Sequence, residues 1–421
     1  MLDINLIRKD PKKLKQIIKD RQLKFDVDAL IKLDKKKRDL LQEVEKLRAE
    51  QNKASAEIAK SSGATKQKLV MEMKAISQRV KESEPELKEI EAQIKQMMLE
   101  LPNIPQPSVP VGEDDSENKE LKVVSQPTEF NFKPLDHAAL GEKLDIIDVK
   151  RAAKVSGSRF GYFKGAAALL EFALMRFAFD LLIKEGFTPI VPPVVIKEKA
   201  MQGLGYLSGG GEEDTYHFTK DKQYFTGTSE QSVVPLHMDE ILAEEELPKR
   251  YAAFSTCFRR EAGSYGKDTK GILRVHQFDK VEMVSFTKPE QSDKEHKYLL
   301  SLQEKLVAEL KLPYRIIQVC TGDLSYQSAN TYDLECWIPS QDKYRETHST
   351  SNCTDFQARR LNIKYRDQKS KKNELVHILN GTALAMGRMI IAILENYQQA
   401  DGSVVVPIAL QEYMSGMKVI K

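Results

Sequence analysis

With 421 residues and 41% hydrophobic content, the chain exceeds the about 250 to 300 residues at which single cores stop growing and is expected to hold more than one domain. Charged residues make up 30%, and the formal net charge of only +3 argues neither for nor against a nucleic-acid partner. Cys257, Cys320, Cys336 and Cys353 lie far apart with no Cys-x-x-Cys pair, and the seven histidines form no His-x-x-x-His pair, so the pattern predicts reduced cytoplasmic thiols and excludes a disulfide framework and a zinc site.

The N-terminal stretch MLDINLIRKDPKKLKQIIKD contains no apolar run of signal-peptide length. Residues 1–100 carry 24 Lys and Arg against 18 Asp and Glu, so a basic module precedes a slightly acidic remainder. Within it, Leu33, Leu40, Val44, Leu47, Ala54 and Ile58, then Leu69, Met73, Ile76, Val80, Leu87, Ile90, Ile94, Met97 and Leu101, recur in steps of three, four and seven. Such spacing predicts two heptad helices. Lys37, Gln51 and Ser83 are polar lapses in the seam, and Ser61, Ser62, Gly63, Ala64 and Thr65 supply a turn. The expectation is an antiparallel coiled-coil hairpin of about 35 residues per arm, roughly 50 Å long. Its basic residues suit a solvated face or a lever reaching a phosphate backbone, and the residues alone leave both open.

Leu101-Pro102-Asn103-Ile104-Pro105-Gln106-Pro107 ends the second helix and begins a linker over residues 102–119. From residue 120 helix patterns (166–185, 291–310, 383–397) alternate with strand-like runs (187–195, 223–226, 250–259, 274–286, 315–320, 331–338), an α+β mixture without regular βαβ spacing. The most apolar helix is interrupted by Glu171, Arg176 and Asp180 and does not read as a membrane span. No GxxxxGK[ST] loop occurs. The prolines at 189, 192 and 193 confine their strand to an edge, and Thr228-Ser229-Glu230 reads as a helix start.

Residues 254–286, FSTCFRREAGSYGKDTKGILRVHQFDKVEMVSF, carry the densest chemistry. They read as a hairpin with a loop rich in Gly and charge, including Gly263, Gly266, Lys267, Asp268, Lys270 and Gly271. Strand alternation puts Arg274, Phe278 and Glu282 on one face, a row of cation, aromatic ring and carboxylate about 26 Å long. Arg259 and Glu261 share a parity on the preceding strand. This row suits an extended polyanionic nucleotide with an amine-bearing second substrate beside it.

Phe-Arg-x-Glu, a loop, then Arg-x-x-x-Phe-x-x-x-Glu closely resembles the second signature motif of class II aminoacyl-tRNA synthetases. The words GxxGxDTxGxxRxHQFxKVE resemble the seryl-tRNA synthetases. LDINLIRKDP, GFTPIVPPVV, YFTGTSE, YRETHSTSNCTDFQARR and HILNGTALAMGR also resemble that family, so the likeness covers essentially the whole chain. It implies an α+β protein with a tRNA-binding coiled-coil arm (1–101), a linker (102–119) and a class II antiparallel-sheet catalytic domain (120–421). The implied activity forms seryl-adenylate from L-serine and ATP with Mg²⁺, then loads a serine-type tRNA with a long variable arm. It is implied to work as a cytoplasmic homodimer, with a selenocysteine tRNA left open.

By the same resemblance Arg259, Arg274 and Arg388 are the catalytic cations, Arg259 at the α-phosphate and the other two at the γ end. Glu261, Val275 and Phe278 complete the ATP site, and Glu346 and Ser349 hold Mg²⁺, a hard cation suited to oxygen ligands. Thr228, Glu230, Arg259, Glu282, Asn380 and Thr382 bind serine, with Glu230 and Glu282 on its ammonium group and Thr382 on its hydroxyl. His348, Thr350, Asn330 and Ala383 depart from the residues common in the family, and His348 is expected beside the site or at the surface, not as a ligand. Two other readings remain: a paralogue that loads a carrier other than tRNA, and a catalytically inactive RNA-binding dimer. The first is expected to lack the arm, and the second to have lost charged positions that are all present here.

Overall fold

The computed structural model describes residues 1–262 and 270–421, so Gly263, Gly266, Lys267 and Asp268 of the hairpin loop lie outside the described residues. The chain divides into two compact units, Leu2–Leu101 and Pro102–Lys421 together with Met1.

In the first unit α1 (Ile4–Lys9) and α2 (Pro11–Asp20) precede two long helices, α3 (Val27–Ile58) and α4 (Gly63–Leu99). Asp26 caps α3, accepting from the Ala29 N–H at 2.9 Å, and the turn into α4 places Gly63 at φ +60°, a left-handed conformation that costs glycine little. Val44, Leu47, Val80 and Ile90 are buried along the seam, as the heptads require. Its polar lapses pair with the facing arm or with the backbone: Lys37 Nζ lies 3.0 Å from Glu91, Gln51 Nε2 donates to Ser77 Oγ at 2.9 Å, and Ser83 Oγ donates to the Arg79 carbonyl. Lys36–Glu86, Arg79–Glu43 and Arg48–Glu84 add cross-arm ion pairs at 2.6–2.9 Å. Exposed as they are, each contributes at most about 1 kcal/mol.

The second unit is built on an eight-stranded sheet: β1 (Lys119–Val124), β2 (Thr188–Ile190), β3 (Lys249–Phe258), β4 (Gln277–Thr287), β5 (Tyr314–Gln318), β6 (Asn330–Ile338), β7 (Lys343–Asn352) and β8 (His377–Ala385). Their order is β1-β5-β6-β7-β8-β4-β3-β2. Every neighbouring pair is antiparallel except β2 with β3, which is parallel. Helices α5 (Ala166–Lys184), α6 (Ser292–Glu309) and α7 (Met386–Asn396) cover the sheet. Leu170, Leu174 and Leu182 of α5, Leu299, Leu302 and Leu306 of α6, and Ile390 and Leu394 of α7 are buried in one core with Val281 and Met283 of β4. Such three- and four-residue spacing is what one apolar stripe per helix demands.

Three boundaries differ from the sequence reading. The run 187–195 is interrupted: β2 stops at Ile190, and a separate strand, Val195–Lys197, pairs elsewhere, because Pro192 and Pro193 have no N–H to offer a ladder. The strand expected over 274–286 begins at Gln277, after an irregular stretch that follows Gly271 at φ +70°. The helix expected from 383 begins at Met386, its first residues belonging to β8. Among the described residues no helix is long and apolar enough to cross a membrane.

Candidate active site

The site grows from β3, β4, β7 and β8. Just beyond β3, the Arg259 N–H donates to the His276 carbonyl at 2.9 Å and prolongs the ladder past Phe258–Gln277. The Arg259 guanidinium donates through Nε to the Gly227 carbonyl at 3.1 Å, and its Cζ lies 5.3 Å from the Phe278 ring centre. Glu261 follows at φ +52°, sparsely populated for a residue with a Cβ and costing on the order of 1 kcal/mol. There it accepts from Arg274 Nη1 at 3.0 Å. Arg274 therefore reaches the site from outside the strand, held by Glu261 and not by the alternation that the sequence pattern suggested.

Arg388 stands in the first turn of α7, where the helix dipole disfavours a cation by a few tenths of a kcal/mol or more. Its Nη1 lies 2.9 Å from the Glu346 carbonyl and 3.1 Å from Glu346 Oε2. Desolvation would raise the Glu346 carboxyl, but Arg388, joined by Arg259 and Lys280, outweighs it and holds the group below the usual carboxylate range. Arg259, Arg274 and Arg388 converge on one cavity, with Glu261, Val275, Phe278, Glu346 and Thr382 in its walls.

Two β-bulges set what faces this cavity. Glu346 and Ser349 are three residues apart, which in a regular strand would send them to opposite faces. Between Leu334 and Glu335 the β6–β7 register shifts, so Glu335 pairs with Glu346 and Asp333 with Ser349, and all four come to one side. Ser349 hydrogen-bonds Asp333, whose carboxyl is raised well above its ordinary value by burial and then by the Glu346 charge. A second shift between Val281 and Glu282 skips Ala383 and sets Thr382 opposite Glu282, with Thr382 Oγ1 donating to Glu282 Oε2 at 3.5 Å. An extra residue bends the strand and re-aims its side chains, and no hydrophobic pattern announces it.

A four-residue helix, Glu230–Val233, starts where the Thr-x-Glu pattern placed it, with Thr228 Oγ1 accepting from the Glu230 N–H at 3.4 Å; the Glu230 carboxylate is held by other partners. Tyr206 O–H donates to Oε2 and Gln357 Nε2 to Oε1, both at 2.7 Å. Burial raises its carboxyl, while these two donors oppose the rise. Glu230 is 3% exposed and Glu282 2%, with Thr228, Asn380 and Thr382 also buried. Asn380 Nδ2 donates to Cys353 Sγ at 3.6 Å. Of the residues expected from the sequence, Thr382 joins this polar pocket to the arginine cavity, whereas Ser349 faces Asp333.

The sequence reading missed Lys280, Tyr206 and Gln357. Lys280 shares the parity of Phe278 and Glu282 and lies in the same cavity wall, so strand alternation could have found it. Tyr206 and Gln357 come from segments 24 residues before and 127 after Glu230, and no local signal marks them. His348 is corrected from a possible surface position: it is wholly buried, its Nδ1 lies 2.9 Å from Thr347 Oγ1, and burial lowers its pKa to about 3. It is a neutral packing group. Asn330 is likewise buried and bonded, donating to Gln106 Oε1 at 3.0 Å. Among the described residues no cluster of three or more His, Cys, Asp or Glu side chains could hold a metal ion.

Comparison with known proteins matches residues 216–397 to the tRNA synthetase class II core domain (G, H, P, S and T) and residues 1–105 to the seryl-tRNA synthetase N-terminal domain. The serine–tRNA ligase of Thermodesulfovibrio yellowstonii is 45% identical over 426 residues, spanning 100% of both chains. That of Acidothermus cellulolyticus is 46% identical over 415 residues and 98% of each. Among solved structures, seryl-tRNA synthetase from Pyrococcus horikoshii complexed with ATP superposes with a TM-score of 0.95 at 41% identity, covering 100% of this chain and 99% of that one. The cytoplasmic serine–tRNA ligase of Naegleria fowleri in complex with AMP gives 0.89 at 32% identity over the same shares. With relatives this similar along its full length, arm and core together, the chain belongs to the serine–tRNA ligase family of class II aminoacyl-tRNA synthetases.

Proposed function

We propose that the chain activates L-serine with ATP in the cavity of Arg259, Arg274 and Arg388, then passes the seryl group to the 3′-terminal ribose of a tRNA with a long variable arm, working as a cytoplasmic homodimer. The observation that carries this reading is the convergence of three arginines and Phe278 beside a buried pocket with two carboxylates. Activation is in-line attack of the serine carboxylate on the α-phosphorus, forming one P–O bond as the bond to pyrophosphate breaks. Two anions must meet, so the site has chiefly to neutralise and to align. Arg259 faces the α-phosphate, Arg274 and Arg388 the terminal phosphates, and Phe278 stacks on adenine. Glu230 and Glu282 accept from the serine ammonium, and Thr382 meets the hydroxyl. A pocket whose polar groups go unpaired without that hydroxyl rejects alanine far better than an apolar slot could.

Glu346 and Ser349, two oxygen donors that the bulge brings to one side, suit Mg²⁺ as its holders. When bound, the ion supplies positive charge to the polyphosphate.

Serine-dependent ATP–pyrophosphate exchange tests the reading, and a folded protein without it would end it. Glu346→Gln keeps the shape and removes the charge, so exchange should then need about tenfold more Mg²⁺ or greater. An unchanged Mg²⁺ titration would leave Glu346 only as the partner of Arg388.

A further inference from the structure

Among the described residues, Lys280 is the one cation of the cavity wall that the roles above leave unused. It is 6% exposed on β4, between Ser255 of β3 and Ala385 of β8, and its Nζ contacts Glu282 Oε2. A lysine this deep is uncommon unless paired, and an ion pair this deep is costly to form. Its charge also bears on Glu230, Glu346 and Cys257. Glu230 is faced in turn by Tyr206, Gln357 and Glu282, and by Cys353. With Arg259 assigned to the phosphate, two buried carboxylates and one buried ammonium leave this pocket with a single negative charge, which matches one substrate ammonium group. Without Lys280 the two carboxylates would face each other with no cation beside them, and Glu230, already raised by burial and by the Glu282 charge, would take up a proton and stop accepting.

We propose that Lys280 is a positioning and specificity residue of the amino-acid pocket, the internal cation that holds Glu282 in place, offsets its charge beside Glu230 and sets the pocket to receive one ammonium group. This rests on reading Glu230 and Glu282 as the ammonium acceptors.

Exchange kinetics with the full-length chain between about pH 6 and pH 8 test it. K280M should raise the KM for serine by about 30-fold or more at neutral pH while the KM for ATP stays within about threefold. The defect should deepen as pH falls, because Glu230, already raised by burial, keeps its Gln357 and Tyr206 hydrogen bonds but loses the Lys280 charge that joined them in opposing its protonation. K280R keeps the cation and should recover most of the loss. The double variant K280M/E282Q holds one buried anion again, and its serine KM should lose the acid-side rise. A K280M protein whose serine KM stays within about threefold of the unaltered chain at every pH would overturn the proposal, as would equal rises for serine and ATP. If K280M does not fold, K280R and the double variant decide: a K280R serine KM raised as far as that proposed for K280M, or an acid-side rise persisting in the double variant, overturns it. Failure of the unaltered chain to exchange with serine would instead remove the underlying reading.

Discussion

Replacing Arg259 by Ala should cut serine-dependent pyrophosphate exchange by at least about 10²-fold, mainly in kcat, in line with deletion of a preorganised electrostatic group. Arg259 is fixed before any substrate arrives: its backbone is tied to His276, its Nε to the Gly227 carbonyl, and its guanidinium to the face of Phe278. A cation so held needs no reorganisation when the carboxylate and the phosphate meet, so its contribution is largest where their charges crowd. Arg259→Lys keeps a point charge but loses the planar fork and the ring contact, and should restore only part of the rate. A folded Arg259→Ala protein exchanging within about threefold of the original would show that the α-phosphate is neutralised elsewhere.

Removing residues 41–85 and closing the gap with a short Gly-Ser link should spare adenylate formation and cripple aminoacylation, with the loss mainly in tRNA affinity. This cut retains Asp34, which binds Arg8 at 2.7 Å, and the Lys36–Glu86 pair, so the base of the hairpin keeps its own contacts. What goes is a length of seam and exposed Lys46, Lys53, Lys60, Lys66, Lys74 and Lys81, whose hold on a phosphate backbone is largely counterion release. Affinity of the intact chain should accordingly fall steeply with salt. A shortened protein that charges tRNA as well as the intact one would refute the arm's role. One that loses exchange while remaining folded would refute its separability.

The arm was legible because heptad spacing is a local signal, and even its lapses at Lys37 and Gln51 became cross-arm pairs. Five of the eight strands of the main sheet had a counterpart among the strand-like runs, but β1, β7 and β8 had none, and the charged set around Phe278 was marked by strand alternation. Geometry that depends on irregular backbone was not. Alternation could not place Arg274, which reaches the cavity from outside β4, nor put Glu346 and Ser349 on one face, which a bulge does. Proximity across long stretches of chain was equally hidden: nothing near Tyr206 or Gln357 says that their polar atoms meet on Glu230. His348 was expected beside the site or at the surface, and sequence, with no direct measure of burial, could not choose between them.

An apolar seam repeating every seven residues is nearly indifferent to sliding by one repeat, a displacement of about 10 Å. Lys37–Glu91 and Gln51–Ser77 remove that indifference, since a slip of one repeat would set Ser77 against Val44 or Ile58 and Glu91 against Leu30 or Val44. The hairpin is thus a measuring rod with its graduations fixed. Adding or deleting one heptad in both arms, outside these two rungs, would change the reach of the tip in steps of about 10 Å and leave the pairing below untouched. Reach along the rod can therefore change through paired insertions and deletions without any change in the residues that do the chemistry.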